Sequence, residues 1–161
     1  DYIKTSNVEG VVEDITFRST KIRTLDKALV TEPNSKLSNS AIINWTKRNM
    51  RRINFTLGVT YGTSKEQLRS CVNKIREMLI EYEDINNETI LVNFDSFGDS
   101  SLNIFIYCFT NTTDWAEYLK VKENINYKIM DILDSEGVSA AFPSTSVYFE
   151  TPLINKTNIE K

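Results

Sequence analysis

The densest group of side chains that could do chemistry is basic. Lys47, Arg48, Arg51 and Arg52 fall within six consecutive residues. Cations at this spacing can bind anions, such as the phosphates of a nucleic acid or an anionic membrane surface. Most runs of this kind are solvated surface without a ligand. The cluster is therefore a candidate charge site rather than a catalytic site.

The sequence lacks the residues and motifs that commonly support catalysis. There is no histidine, so the commonest general base and the commonest metal ligand are missing. A Gly-x-Ser-x-Gly motif, a phosphate-binding loop and zinc-ligand spacing are also missing. Cys71 and Cys108 fall at apolar positions and are interpreted as two buried thiols. We expect no catalytic residue, no metal site and no cofactor.

Charge divides the chain into two parts. Residues 1–52 contain 10 Lys and Arg against 6 Asp and Glu, which gives a formal charge of +4. Residues 53–161 contain 9 against 16, which gives −7, and together they give the net charge of −3. This asymmetry indicates two modules in different electrostatic surroundings. No apolar run reaches the roughly 20 residues that a membrane-spanning helix needs.

The basic part has the pattern of a small all-β unit. Short β-rich runs are predicted at 11–15, 17–25, 28–31 and 41–45, with turn residues between them. Because Pro33 cannot donate to a ladder, the third run is predicted to end before it. Several short strands in so few residues favour a small barrel, since closure hides strand edges.

The acidic part alternates strands with amphipathic helices. Ser64 and Gln67 predict a capping box at the start of one helix, and Asp114 and Gly137 predict the two ends of another. The resulting order is β-α-β-β-α-β, a ferredoxin-like α+β pattern. Its predicted strands lie at 53–61, 89–97, 102–110 and 147–150.

Two further features point to contacts outside the second unit. The strand at 102–110 places Phe105, Tyr107 and Phe109 on the sheet face opposite the helices, which predicts a partner surface. Coverage by the neighbouring β-unit or by a loop is the alternative. The tail 151–161 carries Leu153 and Ile154 and is either frayed or one strand of a multi-chain structure.

Ordered motifs along the chain resemble one known family. Gly10-Val11-Val12-Glu13-Asp14-Ile15, Arg18-Ser19-Thr20-Lys21-Ile22-Arg23, Pro33-Asn34-Ser35 and Ile43-Asn44 resemble the β-domain of the small-conductance mechanosensitive channel (MscS) family. Asp114-Trp115, Ala141-Phe142-Pro143 and Val147-Tyr148 resemble its α/β domain. Two positions depart from the family pattern: Glu32 stands where an apolar residue is usual, and Lys27 where glycine is frequent.

The resemblance implies the cytoplasmic part of a tension-gated channel of the bacterial inner membrane. It implies an Sm-like β-barrel domain at 1–52, a ferredoxin-like domain at 53–150 and a tail at 151–161. It also implies a heptamer, whose seven copies form a ring and a hollow cage with side portals and join their tails in an axial barrel. Membrane-spanning helices, which are absent from this sequence, would carry the pore that releases ions and small solutes under hypoosmotic stress.

The resemblance also implies roles for particular residues. Gly10, Pro33 and Asn34 are expected to be structural. Oligomer contacts are expected at Phe105, Tyr107, Phe109, Leu153 and Ile154. Charges at the side portals are expected at Lys47, Arg48, Arg51 and Arg52, with salt bridges between subunits as the alternative.

Two other functions compete with the channel hypothesis. The basic β-unit could bind RNA, although the net acidity of the chain argues against nucleic acid as a partner. The second unit could sense a small ligand, as many ferredoxin-like domains do, but fold alone is a weak reason for a function.

Overall fold

Short strands at the start of the chain form one antiparallel sheet. The computed structural model describes residues 1–144, and in it five strands pair in the order β4-β3-β2-β1-β5. β4 and β5 are therefore the strands that would meet where a barrel closes. Within residues 1–144 they share no ladder, so hydrogen bonds do not close the predicted barrel. The strands are β1 (Tyr2–Lys4), β2 (Glu9–Ile15), β3 (Ser19–Arg23), β4 (Leu29–Pro33) and β5 (Ile43–Asn44).

The prediction that the third strand ends before Pro33 was wrong. Pro33 is the last residue of β4 and pairs with Ser19 of β3. Because β4 is an edge strand, the missing N–H costs it no ladder bond. Asn34 follows Pro33 directly and begins the short helix α1 (Asn34–Ser38).

The turn before β4 lies where the sequence placed it and carries local strain. Lys27 has φ 66°, the left-handed region that glycine occupies without steric cost. The backbone N–H of Lys27 donates to the Thr24 carbonyl at 3.0 Å, and the Arg23 guanidinium donates to the Lys27 carbonyl, also at 3.0 Å. These bonds hold a lysine in a conformation that disfavours it.

The second half of the described chain is a three-stranded antiparallel sheet with two long helices. The strand order is β6-β8-β7, and the element order β-α-β-β-α confirms the α+β prediction over this range. The final strand predicted at 147–150 lies outside the described residues. The elements are β6 (Arg51–Val59), α2 (Lys65–Glu81), β7 (Ile85–Phe97), β8 (Leu102–Thr110) and α3 (Trp115–Ser135).

The helix ends follow the sequence signals closely. Ser64 and Gln67 form the predicted reciprocal capping box at α2. The Asp114 carboxylate accepts from the Glu117 N–H at 2.9 Å at the start of α3. Gly137, with φ 64°, follows the end of α3 in the left-handed conformation that terminates many helices.

Strand boundaries were predicted less well than strand positions. β1 was missed, and the run at 41–45 contains only the two-residue strand β5. β7 begins at Ile85, four residues before the predicted start. β6 begins at Arg51 rather than at Ile53, so Arg51 and Arg52 are strand residues rather than linker residues.

The main hydrophobic core lies between the second sheet and its two helices. Alternate residues of β8 are buried there, while the first sheet has a much smaller core made by Ile3, Val8 and Ile22. Within residues 1–144, no helix is both long and apolar enough to span a bilayer. The largest fully buried side chains of the main core are Ile53, Ile75, Leu79, Ile104, Ile106 and Ile125.

Gly10 is required where two strands of the first sheet approach closely. A Cβ at this position would overlap the carbonyl oxygen of Arg23 and lie 2.7 Å from its carbonyl carbon. We predict that Gly10→Ala lowers the free energy of unfolding by about 1–3 kcal/mol, because overpacking forces backbone shifts. Chemical denaturation followed by circular dichroism measures this change.

Gly62 provides the matched control for this prediction. A Cβ at Gly62 meets nothing within 4 Å, so Gly62→Ala should change stability by no more than about 1 kcal/mol. Equal losses for the two variants would contradict the packing argument.

Candidate functional site

The basic cluster lies at the junction of the two sheets. Residues 45–50 connect β5 to β6, and Arg51 and Arg52 pair with Thr110 and Phe109 of β8. The structure therefore brings Lys47, Arg48, Arg51 and Arg52 to one place between the two halves, where it gives them different surroundings.

Arg51 is held by the first turn of α3. Its Nε donates to the Thr113 carbonyl at 2.7 Å. The guanidinium carbon lies 4.8 Å from the ring centroid of Trp115 and 5.7 Å from that of Tyr118, within the range of cation–π attraction. Burial, and next the neighbouring charge of Arg48, lower the pKa of Arg51 from its ordinary value. Arg51 joins the junction segment to α3.

Arg48 packs on the other tryptophan of the chain. Its guanidinium carbon lies 5.4 Å from the ring centroid of Trp45. The Nε of Arg48 is buried and has no hydrogen-bond partner within residues 1–144. A buried donor without an acceptor is rare in folded proteins and calls for an explanation.

Lys47 and Arg52 are exposed to solvent. Within residues 1–144, none of the four cluster cations takes part in a salt bridge. Lys47 and Arg52 therefore present their charge to solvent, while Arg48 and Arg51 direct theirs into an aromatic environment.

The aromatic partners of the cluster were missed by the sequence analysis. Trp115 lies in the first turn of α3, where 57% of it is exposed, and it stacks on Tyr118 with ring centroids 5.5 Å apart. Composition gave one indication of these contacts. The sequence has only two tryptophans, Trp45 and Trp115, and each contacts an arginine of the basic cluster in the fold.

Asn34 ties the first helix to the β2–β3 hairpin. Its Nδ2 donates to the Thr16 carbonyl at 2.8 Å, and its Oδ1 accepts from the Thr20 hydroxyl at 2.8 Å. Its backbone N–H donates to the Arg18 carbonyl at 2.9 Å. Three bonds to one hairpin give Asn34 a structural part in the first sheet.

The aromatic residues of β8 form a continuous row on the sheet face away from the helices. Phe105 and Tyr107 are stacked at 6.0 Å, and Tyr107 and Phe109 meet edge to face at 5.3 Å. All three are half-buried, while Ile106 and Cys108 between them are fully buried on the other face. Leu153 and Ile154, predicted as further contacts, lie outside the described residues.

Neither cysteine has the surroundings of a nucleophile. Cys71 and Cys108 are both fully buried. Burial raises the pKa of both thiols, to about 11 for Cys108, so the reactive thiolate is disfavoured. Within residues 1–144, no group of three or more Cys, Asp or Glu side chains is arranged to hold a metal ion.

Both halves of the chain match models of known protein families. Residues 1–47 match the family model described as "Mechanosensitive ion channel, beta-domain". Residues 53–140 match the model described as "Mechanosensitive ion channel MscS, C-terminal". The chain belongs to the MscS family. The two matches meet at the basic junction, in the order that the sequence motifs predicted.

Relatives and solved structures agree with this membership. An uncharacterized MscS family protein of Bacillus subtilis, YhdY, is 52% identical over 147 residues, which cover 91% of this chain and 40% of that protein. The low conductance mechanosensitive channel YnaI of Escherichia coli is 41% identical, over 89% of this chain and 42% of that protein. The chain thus spans about 40% of the length of these MscS relatives.

A crystal structure of Helicobacter pylori MscS in its closed state superimposes with a TM-score of 0.75 at 27% identity. The match covers 94% of this chain and 58% of that one. The mixed α+β arrangement is therefore that of an MscS protein.

We predict that Asn34→Ala lowers the free energy of unfolding by about 1–3 kcal/mol, because it leaves the Thr20 hydroxyl without its partner. Thr20 is only 5% exposed, so its hydroxyl has little contact with solvent that could replace the lost bond. Denaturant unfolding of the variant measures the loss.

Asn39→Ala is the control. Its Nδ2 donates only to the Ser35 carbonyl, at 2.8 Å and exposed to solvent, so the expected loss is less than about 1 kcal/mol. An Asn34 variant as stable as the Asn39 variant would show that the hairpin does not depend on Asn34.

Proposed function

We propose that the chain is the cytoplasmic vestibule of a tension-gated channel in a bacterial inner membrane, which releases ions and small solutes during hypoosmotic stress. One observation carries this proposal: both halves of the chain match the two MscS family models in order. The relatives that the chain matches are longer, and one of them is named a low conductance mechanosensitive channel. We assign the membrane-spanning pore to the part of the protein outside this sequence.

The first domain boundary in this proposal lies close to the change of sheet at the basic junction. Residues 1–52 form an Sm-like β-domain and residues 53–150 a ferredoxin-like domain, with Arg51 and Arg52 beginning the first strand of the second sheet. The tail 151–161, expected to join an axial barrel with Leu153 and Ile154 as contacts, lies outside the described residues.

A heptameric ring would cover surfaces that one chain leaves open. The first sheet has two edge strands, and the second sheet has an aromatic face without helices. Unpaired edges and apolar faces associate unless a neighbour covers them. We therefore assign Phe105, Tyr107 and Phe109 to contacts between copies of the chain.

The exposed cations at the junction would act on permeating ions. We propose that Lys47 and Arg52 line side portals and favour anions, while Arg48 and Arg51 act mainly within the chain. Ring symmetry repeats each charge around one axis, so a single exposed cation per subunit becomes a belt of positive potential.

Patch-clamp recording of the full-length protein, in cells without mechanosensitive channels of their own, tests the function. Suction on the patch should open a conductance that is absent from cells without the protein. A protein that reaches the membrane and passes no current at lytic tension would refute the channel proposal.

The same recordings test the portal charges. Lys47→Gln with Arg52→Gln should shift the reversal potential in a salt gradient toward cation selectivity, with a larger shift at low salt because screening is weaker. Lys65→Gln with Arg69→Gln removes the same charge from exposed positions on α2 and should leave the reversal potential unchanged. An unchanged potential in the junction variant removes the portal role but not the channel.

The aromatic row is tested by the mass of the assembly. We predict that Phe105→Ser, Tyr107→Ser and Phe109→Ser together reduce the mass of the purified full-length protein in light scattering, because the apolar contact between copies is lost. Tyr127→Ser changes an exposed aromatic residue on α3 and is the control. An unaltered mass for the triple variant would exclude this face as an essential contact.

A further inference from the structure

A cleft of about 760 Å³ lies at the junction of the two halves. Tyr2 of β1, Trp45 and Arg48 of the connecting segment, Arg51 of β6 and Trp115 of α3 contribute to its walls. Small-molecule sites typically measure about 300–1,000 Å³ and combine apolar walls with a few polar groups. The cleft has this size and this composition.

Two arginines of the cleft have N–H groups without an acceptor. The buried Nε of Arg48 has no hydrogen-bond partner, and the terminal NH₂ groups of Arg48 make no hydrogen bond within residues 1–144. Arg51 uses its Nε on the Thr113 carbonyl, and its terminal NH₂ groups make no hydrogen bond in the described part of the chain. The guanidinium carbons of Arg48 and Arg51 lie 5.4 Å and 4.8 Å from an indole ring centroid, and the terminal N–H groups of both side chains remain available for an acceptor.

The charge of the cleft is positive. Its one carboxylate, Glu9, is already engaged by the Lys4 ammonium at 2.9 Å and the Tyr2 hydroxyl at 3.0 Å. The charges of Arg48 and Arg51 repel each other, since Arg48 contributes to the lowered pKa of Arg51. A bound anion would relieve this repulsion and accept the available N–H bonds.

We propose that this cleft binds a small organic anion that carries a planar ring, of which a nucleoside monophosphate is the type. The anionic group accepts hydrogen bonds from Arg48 and Arg51 in charge-assisted pairs. The ring packs against the exposed surface of Trp115 or Trp45, which an inorganic anion would leave unused. Because the walls come from both halves, the ligand contacts both at once. The proposal goes beyond channel function and does not depend on it.

Titration of the full-length protein in detergent with adenosine 5′-monophosphate tests this site. Trp45 and Trp115, the only tryptophans of this sequence, both line the cleft, so tryptophan emission reports occupancy. The difference between the protein and its Trp115→Phe variant isolates that signal, and isothermal titration calorimetry gives the affinity. We expect saturable binding, with adenosine and inorganic phosphate each about tenfold weaker or more.

Variants of the two arginines identify the anion contact. Arg48→Gln should weaken binding about tenfold or more, because one charge-assisted bond is lost. Arg48→Lys keeps the charge but loses the planar fork of guanidinium N–H donors, and it should weaken binding by an intermediate factor. The affinity of Arg51→Gln is compared only if its thermal unfolding transition matches that of the parent protein, because Arg51 also packs on α3.

Lys47→Gln and Arg52→Gln are the matched controls. Each removes one positive charge beside the cleft from a residue that does not line it. Retained affinity in both, together with loss in Arg48→Gln, supports the site. Absence of saturable binding, or equal loss in Lys47→Gln and Arg48→Gln, overturns it. Phosphate that binds as tightly as the nucleotide overturns the ring contact, and adenosine that does so overturns the anion contact.

Discussion

The alternation of side chains along β8 constrains the whole second half of the molecule. Ile104, Ile106 and Cys108 are fully buried beneath the helices, and because successive side chains of a strand point to opposite faces, the residues between them must face away. Both helices are committed to one face of the sheet. The opposite face is therefore left with Phe105 and Tyr107, which the described chain covers only in part. Because the core covers only one face of the sheet, the aromatic face is available for contact with another surface.

The first sheet has a related deficiency with a different cause. Its buried apolar core is limited to Ile3, Val8 and Ile22, while Phe17 is 96% exposed. Units of this size bury a smaller fraction of their surface than larger domains do, and their stability alone is correspondingly marginal. One half thus lacks a cover for a sheet face, and the other lacks a sufficient core. Both conditions favour contacts with neighbouring copies or with other parts of the protein.

Local sequence signals predicted local structure well and failed where tertiary position decided the outcome. The capping box of Ser64 and Gln67 depends on four consecutive residues, so its pattern was sufficient. Pro33 was misjudged because its effect depends on whether β4 is an edge strand, which no window of sequence reveals. The contact of Trp115 with Arg51 was missed because Arg51 comes from a strand that is distant in the sequence.

Arg51 and Arg52 have different surroundings because side chains alternate between the two sheet faces along β6, as they do along β8. Arg51 pairs opposite the buried Thr110, so its side chain lies on the helix-covered face and meets the start of α3. Arg52 pairs opposite Phe109, so its side chain lies on the aromatic face and remains exposed. Two adjacent arginines, equivalent by composition, thus receive opposite surroundings from the pleat of one strand. The alternation predicts the opposite orientations of Arg51 and Arg52 only when β6 begins at Arg51, and the predicted start at Ile53 left both residues outside the strand.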